Sequence, residues 1–168
     1  LAVADELPGC EVTATDTSPG ALEVARANAG RLGLASRVGF VKGTLPLGGI
    51  GDDPGATVGF DLVLANLPYV AERDWHTLQP EVAEWEPSEA LLAGPDGLDA
   101  YRRFLPECSR HLHRNAEPMA GTLAVEVGEG QARAVAELFR ASGFGGIETR
   151  RDLAGIERVV LGRVGAEP

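Results

Sequence analysis

Phe60-Asp61-Leu62-Val63-Leu64-Ala65-Asn66-Leu67-Pro68-Tyr69 is a short apolar run that stops at a proline. Val and Leu in a run of this length, bounded by a turn signal, predict a buried strand. Pro68 has no N–H to give to a ladder, and its ring pushes Leu67 into an extended conformation. The strand therefore ends in a stiff turn at its carboxyl end, where open α/β sheets place their ligands. Such a turn can aim the Asn66 side-chain carbonyl and the Leu67 backbone carbonyl at one point. Two acceptors fixed together suit a planar –NH2 group, whose two hydrogens lie in one plane. Tyr69 supplies a flat face against which that plane can lie.

The residues before this stretch alternate strand and helix. Leu1 to Leu7 reads as the last turns of a helix, ended by Pro8-Gly9. Glu11-Val12-Thr13-Ala14-Thr15 is β-branched and predicts a strand, with Asp16 at its end. Ser18 offers an N-cap and Pro19 a first-turn residue. Leu22, Ala25, Ala29 and Leu32 then recur at helical spacing until Gly33. Arg37 to Val41 reads extended. This alternation predicts an α/β fold with a doubly wound, mostly parallel sheet. In nucleoside-binding folds of that kind, an acidic residue ending the second strand accepts hydrogen bonds from ribose hydroxyls. Asp16 is placed for that role, or else is the polar residue of an Asx-turn before the helix. Gly43 to Gly59, rich in Gly, Pro and Asp, predicts a long surface loop.

Beyond Tyr69 the chain runs to Gly97 without clear periodicity and carries both tryptophans. A segment of that length beside a candidate site predicts a lid or a substrate platform. Leu98 to Leu112 reads helical, with Pro106 expected to kink or divide it. His111 and His113 fall near its end among arginines and read as solvated; His76 is given no role. Gly121 to Val127 predicts another buried strand. Gly130 to Ser142 predicts a helix whose inner face is Ala132, Val135, Leu138 and Phe139. Ile147 to Arg151 and Arg158 to Leu161 read as short strands joined at Asp152-Leu153-Ala154-Gly155. They are expected to close the sheet with its one antiparallel strand.

At 168 residues the chain is expected to form one domain, and 44% hydrophobic with 24% charged residues is ordinary for a globular protein. No apolar run has the length of a membrane span, and the opening residues do not read as a signal peptide. Cys10 and Cys108 show no metal-type spacing, so no metal site is expected, and both read as reduced residues of a cytoplasmic protein. The formal net charge of −10 is spread along the chain. It repels a phosphate backbone at long range, which makes a direct nucleic-acid substrate unlikely and favours a protein or small molecule.

Asn66-Leu67-Pro68-Tyr69 resembles the (Asn/Asp)-Pro-Pro-(Tyr/Phe) motif of class I, Rossmann-like methyltransferases that modify planar nitrogens with S-adenosylmethionine. Trp85-Glu86-Pro87-Ser88-Glu89-Ala90-Leu91-Leu92-Ala93-Gly94-Pro95-Asp96-Gly97-Leu98 narrows the likeness. It resembles the Glu-Pro-x-x-Ala-Leu…Gly-x-x-Gly-Leu signature of the release factor glutamine methyltransferases, also called the HemK or PrmC family. Leu-Ala-Val-Glu-Val-Gly…Gln131 and the run from Asp152 to Arg163 are similar to the closing part of that family's catalytic domain. The resemblance implies methyl transfer to a glutamine side-chain amide in the Gly-Gly-Gln motif of peptide chain release factors. Asn66, Leu67, Pro68 and Tyr69 would be the catalytic corner, and Asn66, Pro68, Tyr69, Glu86 and Pro87 would meet substrate. Asp16, Thr17, Thr44, Leu45 and Asn66 would meet the cofactor, although Lys42-Gly43-Thr44-Leu45 departs from the acidic residue the family carries near adenine.

The likeness begins late. The family's first strand, its Gly-rich loop and its N-terminal helical substrate-binding domain would all precede Leu1. Gly48-Gly49-Ile50-Gly51 lies in the wrong place to serve as that loop. The expectation is an N-terminally truncated catalytic domain spanning 1–168, in which two strands lack a neighbour. Two other readings stand beside this one. Leu in second place also resembles the ribosomal RNA adenine dimethyltransferases, whose target is again a planar amine. A non-catalytic remnant that keeps the fold as a binding module is the other.

Overall fold

The computed structural model describes residues 1–43, 59–113 and 121–166. They fall into two compact units, Leu1–Val58 and Gly59–Pro168. The Gly-, Pro- and Asp-rich loop after β2 lies almost wholly outside the described residues.

In the first unit α1 (Ala2–Glu6) leads to β1 (Val12–Asp16), α2 (Pro19–Arg31) and β2 (Val38–Lys42). Ser18 caps α2 through its hydroxyl, which accepts from the Ala21 N–H at 3.2 Å, and Pro19 occupies the first turn. The helix ends in a Schellman turn. Gly33 takes a positive φ of 71°, its N–H reaches the Gly30 carbonyl, and the Leu34 N–H reaches the Ala29 carbonyl. That reversal turns Leu34 into the core and leaves Leu32 61% exposed, so Leu34 and not Leu32 completes the apolar face. Ala4, Leu34 and Val38 form the small core, with Val12, Ala14 and Phe40 packed on it. The strands β1 and β2 pair in parallel, Val12 opposite Val38 through Asp16 opposite Lys42.

The second unit is a four-stranded sheet in the order β3-β4-β6-β5. β3 (Leu62–Ala65) pairs in parallel with β4 (Thr122–Glu126), so that Ala65 lies opposite Val125. β6 (Glu157–Val164) runs antiparallel to both β4 and β5 (Phe144–Arg151), which makes it the one antiparallel strand expected. Its direction follows from the connection: residues 152–156 are a hairpin, too short for a crossover. Asp152 holds that hairpin by accepting from the Ala154 and Ile156 N–H groups and from Arg158. Between β3 and β4 lie a 3-10 helix (Glu72–Thr77), α3 (Pro80–Trp85), α4 (Ser88–Leu91) and α5 (Asp99–Cys108). α5 runs as one helix through Pro106 and stops two residues later. Pro106 neither divides it nor carries it on to Leu112. His113 lies past its end, where the Phe60–Leu112 bridge brings it 2.9 Å from Asp61.

α6 (Ala132–Ala141) packs on β5 and β6 and lies beside α5. Its buried face is Ala132, Val135, Ala136 and Phe139; Leu138 is only half-buried. With Tyr101, Phe104 and Leu105 of α5 and Leu123, Val125 and Val160 of the sheet, these residues make the main core. The Phe139 and Phe144 rings meet at 5.0 Å between centroids. Gly162 makes room for them, since a Cβ there would stand 2.9 Å from the Phe139 ring. Among the described residues no helix is long and apolar enough to cross a membrane.

β1 pairs only with β2, and β3 only with β4, among the described residues. Phe139→Ala should lower unfolding free energy by about 3–5 kcal/mol, seen as a lower urea midpoint at unchanged slope.

Candidate active site

The site grows from the end of β3. Pro68 cannot extend the ladder, so the residues after Ala65 leave the sheet and their backbone groups need other partners. Asn66 is exposed, whereas Leu67, Pro68 and Tyr69 are half-buried. Asn66 thus points away from the core, as a ligand-holding amide must. It lines an open depression of about 290 Å³ with Leu64, Ala65, Ala124, Val125, Glu126 and Val159. A second depression, about 400 Å³, lies by Arg140, Gly146, Ile147 and Glu148 near the amino end of β5. None of the motif residues reaches it.

The turn is tied down on its far side by the second motif. The Val70 N–H donates to the Leu91 carbonyl at 2.8 Å, and the Ala93 N–H donates to the Val70 carbonyl at 2.9 Å. The Glu72 N–H reaches the Gly94 carbonyl at 3.0 Å. Gly94 and Gly97 both take positive φ, 79° and 76°. A Cβ at Gly97 would stand 2.4 Å from the Tyr69 carbonyl oxygen, so only glycine lets the chain pass beneath Tyr69. Asp96 fixes this reversal by accepting from the Leu98 N–H and pairing with Arg102. The hydrogen bond from Arg102 holds the Asp96 carboxyl well below its ordinary range, at about 2. The Ala-Leu…Gly-x-x-Gly-Leu pattern is therefore the support on which the Asn66 turn rests. The segment expected to be a lid or a substrate platform forms three short helices that end in this support.

Tyr69 also meets β4. Its hydroxyl lies 3.4 Å from Glu126 Oε1, while the buried Tyr101 donates to the Glu126 backbone carbonyl at 2.7 Å. Burial, then the Glu126 charge, raises the Tyr69 pKa; burial raises that of Tyr101 as well. Gln131, which precedes α6, closes the site from a third direction. Its Nε2 donates to the Tyr69 carbonyl at 2.9 Å, and its Oε1 accepts from the Gly128 N–H at 3.0 Å. Sequence reasoning gave neither Glu126 nor Gln131 a role. The signal was present for Glu126, a charged residue ending an apolar strand, but Gln131 reaches a partner 62 residues away.

Asp16, in the first unit, ends β1 with its carboxylate exposed. Its Oδ1 accepts from the Ser18 N–H at 2.8 Å, so it does form the Asx-turn and keeps Oδ2 outside that bond. Thr17 is exposed in the same bend. Thr44 and Leu45 lie outside the described residues. Glu86 and Pro87 are exposed between α3 and α4, next to Trp85 at 81% exposure, and their link to the Asn66 turn runs through Leu91.

Curated relatives share this sequence over nearly its whole length. The release factor glutamine methyltransferase of Geobacter sulfurreducens is 41% identical over 98% of this chain, and that of Gloeobacter violaceus is 43% identical over 96%. The Rhodospirillum rubrum protein of the same name is 42% identical over 97%. The chain belongs to the release factor glutamine methyltransferase family. It spans about half the length of the curated relatives it matches, from 46% to 54% of these three. No family model matches it.

The fold agrees with that membership. A methyltransferase from Pyrococcus furiosus matches 98% of this chain and 68% of its own with a TM-score of 0.66, at 18% identity. The N-terminal domain of human METTL16, solved with SAH, matches 98% of this chain and 56% of its own with a TM-score of 0.63, at 13% identity. At such identities the likeness is one of fold, the class I methyltransferase fold. Gly97→Ala should cost roughly 2–4 kcal/mol of stability, by left-handed strain plus collision with Tyr69. Gly143→Ala, at φ 85° with open space around it, should cost only about 1–2 kcal/mol. Denaturant melts of the two variants check the difference.

Proposed function

We propose that the protein carrying this chain transfers a methyl group from S-adenosylmethionine to the side-chain amide nitrogen of a glutamine in a peptide chain release factor. The observation that carries the reading is the exposed Asn66 amide, at the end of β3, in a turn held by Pro68 and by the bonds around Tyr69 and Val70. The names of relatives 41–43% identical support the substrate.

An amide nitrogen is a poor nucleophile because its lone pair is delocalised into the carbonyl. Asn66 Oδ1 and the Leu67 carbonyl would each accept one of its two N–H bonds and return electron density to nitrogen. Both acceptors belong to consecutive residues, so gripping both hydrogens also fixes the direction of the lone pair. Tyr69 would lie against the amide plane. As the nitrogen gains its methyl group, one N–H proton must leave. That proton would pass to solvent, to which the turn lies open at Asn66.

The donor's chemistry is an electrophilic methyl on a sulfonium. The residues present fit such a cofactor: Asp16 offers a carboxylate oxygen for ribose hydroxyl donors at the end of β1, with Thr17 beside it. Thr44 and Leu45 are proposed for the adenine side, and Glu86 and Pro87 for the protein substrate. A protein substrate also suits the charge. With −10 overall, many arginines are already paired, as Arg150, Arg151 and Arg158 are with Glu148, Glu157 and Asp152.

The test incubates the full-length protein and labelled S-adenosylmethionine with release factor in one arm and ribosomal RNA in the other. Label should enter release factor alone, on glutamine. Asn66→Ala should lower kcat by about two to three orders of magnitude. Turnover above half of wild type in that variant contradicts the role given to Asn66.

A further inference from the structure

We infer that Gln131 is a positioning residue that sets the register of the Asn66–Tyr69 turn against the rest of the sheet. The inference rests on the reading of that turn as the corner that grips the substrate amide. Gln131 sits at the start of α6 but does not cap its own helix. Its side chain turns back instead and joins three separate loops. Nε2 donates to the Tyr69 carbonyl at 2.9 Å and lies 3.5 Å from the Gly97 carbonyl, while Oε1 accepts from the Gly128 N–H at 3.0 Å.

Those partners leave one amide orientation. An N–H must face Oε1, and two carbonyls must face the –NH2. The space is shaped around it: a Cβ at Gly97 would stand 2.7 Å from Nε2, and one at Gly128 would stand 2.8 Å from Oε1. Two glycines thus yield the room that a single glutamine fills.

The Tyr69 carbonyl is two peptide units from the Leu67 carbonyl, and Pro68 between them has its φ fixed by the ring. Of the main-chain torsions between the two carbonyls only the Pro68 ψ and the Tyr69 φ are then soft, so a shift at Tyr69 is felt at the Leu67 acceptor. Val70 is already held by Leu91 and Ala93, and Gln131 adds a tie at the neighbouring Tyr69 carbonyl. It touches no reacting atom and acts through Tyr69.

Gln131→Glu keeps the acceptor for Gly128 but sets a carboxylate oxygen against two carbonyls. Gln131→Met keeps length and apolar bulk and loses both hydrogen bonds without adding charge. In the full-length protein each variant should remain folded by circular dichroism. Each should lose about ten- to a hundredfold in kcat, with the KM for S-adenosylmethionine little changed, since misalignment is felt in the reaction and not in donor binding. General destabilisation would lower the folded fraction instead. If Gln131→Glu does not fold, Gln131→Met decides.

Turnover above half of wild type in a folded variant, or a loss that lies wholly in KM, overturns the inference. Asn66→Ala run alongside separates the two ideas. An inactive Asn66→Ala beside an active Gln131→Met removes the clamp and leaves the corner standing; an active Asn66→Ala removes the corner itself.

Discussion

A strand that ends at a proline leaves the next residues without a ladder, and the ties around this site answer that need. Backbone N–H and carbonyl groups taken out of water require partners. After Ala65 the sheet no longer supplies them. Leu91, Ala93 and Gly94 take up Val70 and Glu72, and Gln131 takes up the Tyr69 carbonyl. The outcome is a turn tied from behind at Tyr69 and Val70 while Asn66 stays exposed in front. Pairing behind and exposure before are what allow a polar side chain to be both rigid and available.

The same need explains the second motif in physical terms. Ala93 is buried, and Gly94 and Gly97 take conformations that a side chain resists. A Cβ at Gly94 would come within 2.0 Å of Asp99, and one at Gly97 within 2.4 Å of the Tyr69 carbonyl. At Gly94 the crowding comes from the Asp99 side chain, whereas at Gly97 two stretches of backbone pass close together. Arg102, pairing with Asp96 and Asp99 at once, holds the reversal that brings them together. The two sequence motifs, Asn66–Tyr69 and Trp85–Leu98, are two sides of one contact.

What the sequence made legible was local. Ser18, Pro19 and Gly33 mark the start and stop of α2, and each acts as its chemistry predicts. The turn at Asn66 followed from Pro68, and the antiparallel β6 from a connection too short to cross the sheet. Distant partners were not legible. Leu32 fits the helical repeat, yet the Schellman turn puts Leu34 in the core instead. The helices between Glu72 and Leu91 have six residues or fewer, below the length at which periodicity shows or an isolated helix persists. Pro106 falls in the last turn of α5, where little helix remains to be divided. Gln131 ends a stretch that resembles the family, but nothing local names its partner at Tyr69, 62 residues away.

The ionisable groups around the turn argue for the kind of chemistry it can support. A site that must pull a proton from its substrate needs a base poised near working pH. Here the displaced groups move away from that range. Burial pushes the Tyr69 and Tyr101 phenols up, and Arg102 holds Asp96 down at about 2. Tyr101 stays protonated and so keeps donating to the Glu126 carbonyl; Tyr69 stays neutral beside the Glu126 carboxyl. Both phenols act as fixed posts between the turn and β4. A reaction driven by alignment and by polarising a neutral nitrogen makes use of such posts, because their positions do not change as the proton departs. Proton abstraction by these groups would need the opposite displacement, with a phenol drawn down toward neutrality by a nearby cation. Tyr69 is instead pushed up by burial and then by the Glu126 carboxylate, against a smaller opposing pull from Arg158, so the proton stays on the ring.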